Sequence, residues 1–533
     1  MMNILKSTPV LKNKYLLVLS IFNAVVIGII LYLQIFSTPF YMWIIPVFCV
    51  LEMLIMIFLY EYVNRKYIYI SKENKKKGIP IFAICFVIIF VGQIVYWLAY
   101  YPGGFNLDAY GQWDQVHGKQ QLNNWHPILT TLIYWILCQI NDSIDFCIFV
   151  QLLVFTLSIS FLLKELYKYG VSRWIVIATS VVMAINPAIG MNNICLIKDV
   201  WFTIVIIWMM ILMFKLYVSD GKWISYIGNR NLLICLFIAL SLIRHNALFW
   251  SIPLVMLSMV VYKEYYKCFL KVIICSVLLV VIIETAGFSL LRIEQHSNMT
   301  GEISGIPMAV MANAYINDYE NTPDDVCAFL EDIAPRNEWE ERYIIGEWDS
   351  CKWEFGGIEL LKEESAFVML QMMYKTIQMC PQTSYESIRE NTRLIWQIIG
   401  PSYWSPWVYI EDNDYGIEKK NTIINIENFV EWSEHNIMTS TFFWNIGFLI
   451  IILLIINWIA FSKGVYQSFL FVGPIIIYDI LTMCLLSGPS LRYFYFNSVL
   501  IFPVVGVVLL MINEKNMNAR ISKSISVHIC KEY

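Results

Sequence analysis

Charge is scarce in this chain. Asp, Glu, Lys and Arg make up 15% of its 533 residues, against 58% hydrophobic residues, and mean hydropathy is +0.60. A soluble globular domain covers itself with charged side chains, so this composition excludes one. The thirteen cysteines contain no Cys-x-x-Cys pair and no Cys/His spacing of a metal site, which leaves zinc and dithiol chemistry without ligands. Most lie inside apolar runs, where a thiol behaves as a small hydrophobe. There is no internal repeat and no low-complexity tract. The basic N-terminal stretch 1–15 enters an apolar run without a small-residue cleavage site, so it is expected to lead into an uncleaved first helix.

What the chain has in abundance is long apolar runs. Apolar segments, most of about 17–23 residues and so long enough to cross a hydrocarbon core of roughly 30 Å, recur at about 15–36, 41–60, 80–101, 144–163, 174–190, 198–217, 269–289, 441–461, 466–486 and 493–512, with a shorter pair at 231–244 and 247–262 joined by a tight break. The expected fold class is therefore an all-α polytopic membrane protein with about twelve transmembrane helices. Basic loops at 64–77, 164–173, 222–230 and 263–271, with the tail carrying Lys515, Arg520 and Lys523, belong on the cytoplasmic side by the positive-inside rule. The apolar segment 127–140 is too short to span. Were it to cross, every later basic loop would move outside, so it is expected to lie in the interface as an outer-face or re-entrant helix.

The same arithmetic puts outside a first large loop at 102–143, short links at 191–197 and 487–492, and a segment at about 290–440. In that segment 26 acidic residues face 10 basic ones, and helical periods at 358–379 and 384–399 suggest a small, mostly helical domain. Three parts follow: a membrane module over 1–289, an extracytoplasmic domain over 290–440, and C-terminal membrane helices with a cytoplasmic tail over 441–533.

Chemistry is expected where this topology gathers polar groups at the outer face. The first loop, YPGGFNLDAYGQWDQVHGKQQLNNWHP, offers Asp108, Asp114, His117 and His126. Lys198 and Asp199 open one span, Arg244, His245 and Asn246 form a hairpin tip, and Arg492 and Tyr493 top the last span. A carboxylate facing Lys198, Arg244 and Arg492 at a membrane surface suits a ligand with a phosphate head and a lipid tail. The cations would hold phosphate and a carboxylate would take a proton from a hydroxyl. Plainer readings stand beside these. Terminal cations snorkel to the interface, Asp108 serves as a helix cap, His126-Pro127 marks a helix start, and His117 is merely solvated. Glu52, Glu284 and Asp479 lie inside spans and should face a cavity or a partner. Trp404 and Trp407 would stack on a sugar ring or anchor the outer domain on lipid.

The order of these features resembles the polytopic glycosyltransferases of the GT-C superfamily, which take sugars from polyprenyl-phosphate carriers on the outer face. In that superfamily an acidic residue of the first large outer loop is catalytic, often in a relaxed Asp-x-Asp pattern. Here the tripeptide is Asn106-Leu107-Asp108, so Asp108 alone carries over. More narrowly, YPGGFNLDAYGQWDQ with NWHPILTTL, LIKDVWF, LIRHNAL, SGIPMAVMANAY and LRYFYF resemble a family of uncharacterised bacterial membrane proteins, over most of 80–315 and the last two spans.

The resemblance implies a polyprenyl-phosphate-linked sugar as donor and a cell-envelope glycan, lipid or protein as acceptor, at the cell membrane. Asp108 would be the general base, Lys198, Arg244 and Arg492 would hold the phosphate beside Tyr493, and Asp114 and His126 would orient the loop or acceptor. No cofactor and no nucleic acid are expected, and a single carboxylate is a poor divalent site. Three other readings compete: a lipid-linked glycan flippase, which needs a polar path inward; an O-antigen-ligase or polymerase type of enzyme acting on diphosphate-linked glycans; and a structural or signalling membrane protein.

Overall fold

The computed structural model describes residues 14–65, 79–295, 304–356, 361, 365–400, 408–420 and 424–529. Trp404, Trp407 and most of the basic loop at 64–77 lie outside the described residues. The chain is 77% helical, with no β-strand among the described residues. Among the described residues six helices are long and apolar enough to cross a membrane, or up to eight if each of two bent helix pairs is one span. It is a helical membrane protein.

In chain order the first helices are α1 (Lys14–Ile35), α2 (Ile45–Arg65) and α3 (Ile79–Ala99). Two short helices of the first loop follow, α4 (Leu107–Val116) and α5 (Ile128–Cys138). Then come α6 (Ile144–Lys168), α7 (Arg173–Ile185), α8 (Pro187–Asn193), α9 (Lys198–Val218), α10 (Ile227–Ile243), α11 (Leu248–Val261) and α12 (Tyr266–Ile282). The segment expected outside contains α13 (Gly305–Asn317), α14 (Asp324–Ile333), α15 (Arg336–Arg342), α16 (Ala366–Met379), α17 (Pro381–Asn391), α18 (Arg393–Trp396) and α19 (Glu427–His435). The chain closes with α20 (Ile437–Phe443), α21 (Ile446–Ser462), α22 (Phe469–Met483) and α23 (Phe496–Ile529).

Each of the twelve apolar runs forms helix, but two are not continuous. The run expected over 174–190 bends by 61° between α7 and α8. Asn186 caps the second piece through bonds from the Ala188 and Ile189 amides, and Pro187 occupies its first turn, the chemistry of a new helix start. The run over 441–461 bends by 63° between α20 and α21. α5, at 11 residues, rises about 16 Å and is too short to cross, as its length foretells.

α9 is the axis of the bundle. Its side chains from Asp199 to Leu216 are almost all buried, and it packs against α6, α10 and α23. Its 21 residues carry the chain about 31 Å, from the polar cluster at Lys198 to the opposite end. There the basic turns meet: the Tyr217 hydroxyl donates to Glu514 at 2.7 Å, and the turn at Lys222–Ser225 touches that at Lys263–Tyr265.

The segment over 305–372 has a core of its own, built on Met308, Met311, Tyr315, Leu330, Trp339, Trp348 and Met369. It is pinned to the loop before α23. The Asp349 amide donates to the Ser487 carbonyl, and Lys352 reaches both Asp349 and the Ser487 hydroxyl. The helix expected from 358 begins, among the described residues, at Ala366.

The Pro102-Gly103-Gly104 turn is set by close approach. Gly104 donates its amide to the Ile194 carbonyl at 2.9 Å and accepts from the Leu196 amide at 3.1 Å, while Phe105 pairs on its other side with Tyr409 and Glu411. Gly103 has φ +118°, and a Cβ there would sit 2.5 Å from the Ile194 carbonyl oxygen. Gly103→Ala should therefore cost about 2 kcal/mol or more. Gly111→Ala, on an open helix position, should be neutral or stabilising by up to about 1 kcal/mol. Unfolding of the detergent-solubilised protein followed by Trp fluorescence checks both, and equal effects would contradict the close-approach argument.

Candidate functional site

The pairing of Gly104 with 194–196 brings the start of α4 to the start of α9. Asn106 caps α4, its side chain accepting from the Ala109 amide at 3.0 Å. The capping role weighed for Asp108 belongs to this neighbour. Asp108 stands in the first turn, where the helix dipole favours an anion. Its carboxylate accepts from Arg492 at 2.6 Å, and His126 Nε2 lies 3.9 Å from its other oxygen. His126, just ahead of α5, meets the Lys198 ammonium through Nδ1 at 3.1 Å. An ammonium can only donate, so Nδ1 is the acceptor and the ring proton sits on Nε2, facing Asp108.

Burial opposes the charge on Asp108. Arg492, then His126 and Lys198, outweigh it and hold the carboxyl well below the usual carboxylate range. Burial and Lys198 push the His126 imidazole down to about 3 against the pull of Asp108, so the ring is neutral at ordinary pH. The site thus holds an ionised acid, a neutral imidazole and two flanking cations.

Arg244 lies one layer deeper, in an ion pair of 2.7 Å with Asp199 whose side chains are 4% and 1% exposed. It also donates to the Tyr493 carbonyl at 3.4 Å. The Tyr493 ring receives both guanidiniums, Arg244 at 4.7 Å and Arg492 at 5.1 Å, and its hydroxyl accepts from Arg492 at 3.3 Å. An aromatic face between two like charges offsets part of their repulsion. The rest of the hairpin tip fixes the roof. His245 Nε2 donates to the Asn124 and Trp125 carbonyls just before His126, and Asn246 bonds Thr482 and Tyr478. Trp125 packs edge-on against Trp353 of the 305–400 segment, with ring centres 5.7 Å apart.

Of the residues expected in the site, Asp108, His126, Lys198, Arg492 and Tyr493 form this connected cluster, with Arg244 beneath it. Asp114 does not join them. Six residues on from Asp108, about 240° around the helix, it points to another face and accepts from the Tyr415 hydroxyl at 2.7 Å. His117 is bonded to Asp142 at 2.8 Å instead of being merely solvated. Asp479 is fully buried and accepts from the Asn497 amide. Glu284 lies in a π-turn at the end of α12, and Glu52 is buried on α2, which packs against α1.

Asp199 is among the polar groups expected at this end, but its role of neutralising Arg244 is not read from the sequence, and neither is the bracing of α4 by the 408–420 segment. No group of three or more metal-ligating side chains occurs among the described residues. The fold and cluster define a class, a helical membrane protein with a charged site at one end of its bundle. No protein-family model matches the chain, and neither does a curated protein or a solved structure.

Two predictions follow from the geometry. Asp199→Ala leaves Arg244 buried without its counter-charge and should cost about 3–5 kcal/mol, with Asp199→Leu combined with Arg244→Met recovering much of it in the same unfolding assay. The second concerns pH. The folded His126 value of about 3 lies below the unfolded value of about 6.5, so on acidification the unfolded chain binds the proton first. Its contribution is present above about pH 6.5 and is lost as pH falls toward 3. His126→Gln should flatten that part of the stability–pH curve; an unchanged slope would place the proton elsewhere.

Proposed function

We propose that this protein is an integral-membrane glycosyltransferase that moves a sugar from a polyprenyl-phosphate carrier to an extracytoplasmic cell-envelope acceptor. The observation that carries the reading is the Asp108–Arg492 ion pair flanked by His126 and Lys198, at the end of an apolar bundle. Such a cluster has what transfer from a lipid phosphate needs: donors for the phosphate oxygens, and a carboxylate within the same few ångströms to receive a proton. The acceptor oxygen would attack the anomeric carbon as the carbon–phosphate oxygen bond breaks, and its proton would pass to Asp108. Lys198 and Arg492 would take up the second negative charge that develops on the departing phosphate.

Charge balance supports the monophosphate form of the donor. Lys198, Arg244 and Arg492 set against Asp108 and Asp199, with His126 neutral, leave one net positive charge, which matches a phosphodiester monoanion better than a diphosphate linkage. The leaving group is already activated, so the reading requires no nucleotide or metal. In this reading the apolar helices α1, α2, α10 and α11 also cross the membrane, beside the six long spans and the two bent pairs, giving twelve crossings. The basic turns face the cytoplasm and the cluster faces outward. The 305–400 segment, in contact with Trp125, would help select the acceptor.

The test is transfer by purified protein from a polyprenyl-phosphate hexose to envelope fractions. Asp108→Asn should lower kcat by about 10²–10⁴-fold with little change in KM. Full activity in that variant would remove Asp108 as the base, and activity only with diphosphate-linked donors would move the enzyme to the ligase or polymerase type.

A further inference from the structure

The proposed base is locked. Arg492 bonds Asp108 at 2.6 Å, and a carboxylate held so firmly as an anion is a poor proton acceptor, because general-base efficiency rises with basicity. The lock is also exposed: the Asp108 and Arg492 side chains are 28% and 27% open, whereas Arg244 and Asp199 below are sealed. A ligand can therefore reach the first pair and not the second. Arg492 has a ready alternative partner, since a guanidinium fork binds phosphate oxygens as well as carboxylate. Its remaining contacts are with Tyr493, the hydroxyl at 3.3 Å and the ring at 5.1 Å, weaker restraints than the ion pair.

We propose that Arg492 is a specificity-determining residue that couples phosphate recognition to the basicity of Asp108: a bound phosphodiester draws the guanidinium away from the carboxylate, and only then can Asp108 accept a proton. The inference rests on the transferase reading and deepens it. Freed from Arg492, Asp108 keeps Lys198, the His126 Nε2–H and Tyr409 as neighbours. It gains the phosphate as an anionic neighbour, which raises its proton affinity further. When the acceptor hydroxyl attacks, its proton goes to Asp108, the new glycosidic bond forms, and the electron pair of the broken bond stays on the phosphate. The phosphate becomes a dianion under Arg492 and Lys198. An empty site keeps its base protected, so water reaching Asp108 without a donor meets only a weak acceptor.

The coupling has a signature that needs no turnover. Binding of a short dialkyl phosphate, a phosphodiester that does not itself titrate above about pH 2, should bring proton uptake onto Asp108 near pH 5 that fades by pH 8. Titration calorimetry of the full-length protein in detergent, run in buffers of different ionisation enthalpy, reads that uptake. The expected result is a substantial fraction of a proton per ligand at pH 5, lost in Asp108→Asn while binding persists. Should that variant fail to fold, infrared difference spectra of 13C-Asp-labelled wild type should show a protonated carboxyl band on ligand binding at pH 5. Binding without uptake, or without that band, overturns the coupling and leaves the transferase reading intact. Uptake that survives Asp108→Asn puts the proton on His126 and equally overturns it. Absence of any phosphodiester binding removes the coupling together with the proposed donor.

Discussion

A single ion pair closes this molecule on itself. Asp108 and Arg492 are 384 residues apart in the chain and 2.6 Å apart in space, joining the loop that follows α3 to the start of the last membrane helix. Neither charge is stable alone at the edge of a hydrocarbon slab, where desolvation costs several kcal/mol per ion. Each therefore dictates where the other's backbone must go. The Gly103–Gly104 contact with 194–196, the His245 bonds to the Asn124 and Trp125 carbonyls, and the Tyr493 ring between two guanidiniums all hold that meeting point in place.

The cluster is built in two layers with different physics. The lower layer, Arg244 with Asp199, is dry and neutral as a pair. It fixes the start of α9 against the hairpin tip. The upper layer, Asp108 with Arg492, His126 and Lys198, is partly open to solvent and carries the excess positive charge. A sealed pair resists exchange of partners and an open one permits it. Rigidity below and exchangeable contacts above would suit the lipid-linked phosphate proposed as ligand, since the helix ends could stay fixed while the upper contacts change partner.

Much of this was legible in the sequence, for reasons that can be traced. Apolar runs mark helices because an unpaired backbone is intolerable in lipid. The bias of basic residues then sorts the loops to two ends, and that sorting alone predicted that Asp108, Lys198, Arg244 and Arg492 would share one end. The same bias of basic residues set the segment of α5 apart from the expected spans, and its helix has 11 residues. Hydropathy does not register a bend, however: the Asn186-Pro187 break carries a cap signal inside an otherwise apolar run, and it was passed over. Asp114 was placed with the site on proximity in sequence alone, whereas helical phase turns it away to Tyr415. The Asp199–Arg244 pair and the support of α4 by 408–420 are long-range contacts, and one sequence carries no record of pairing.

The central claim is that Asp108 and the cations of separate helix ends act as one electrostatic unit. A double-mutant cycle on unfolding free energy, with Asp108→Ala, Arg492→Ala and the two combined, tests it most directly. The account predicts a coupling of about 1–3 kcal/mol that shrinks as salt is raised. Strictly additive effects would contradict it.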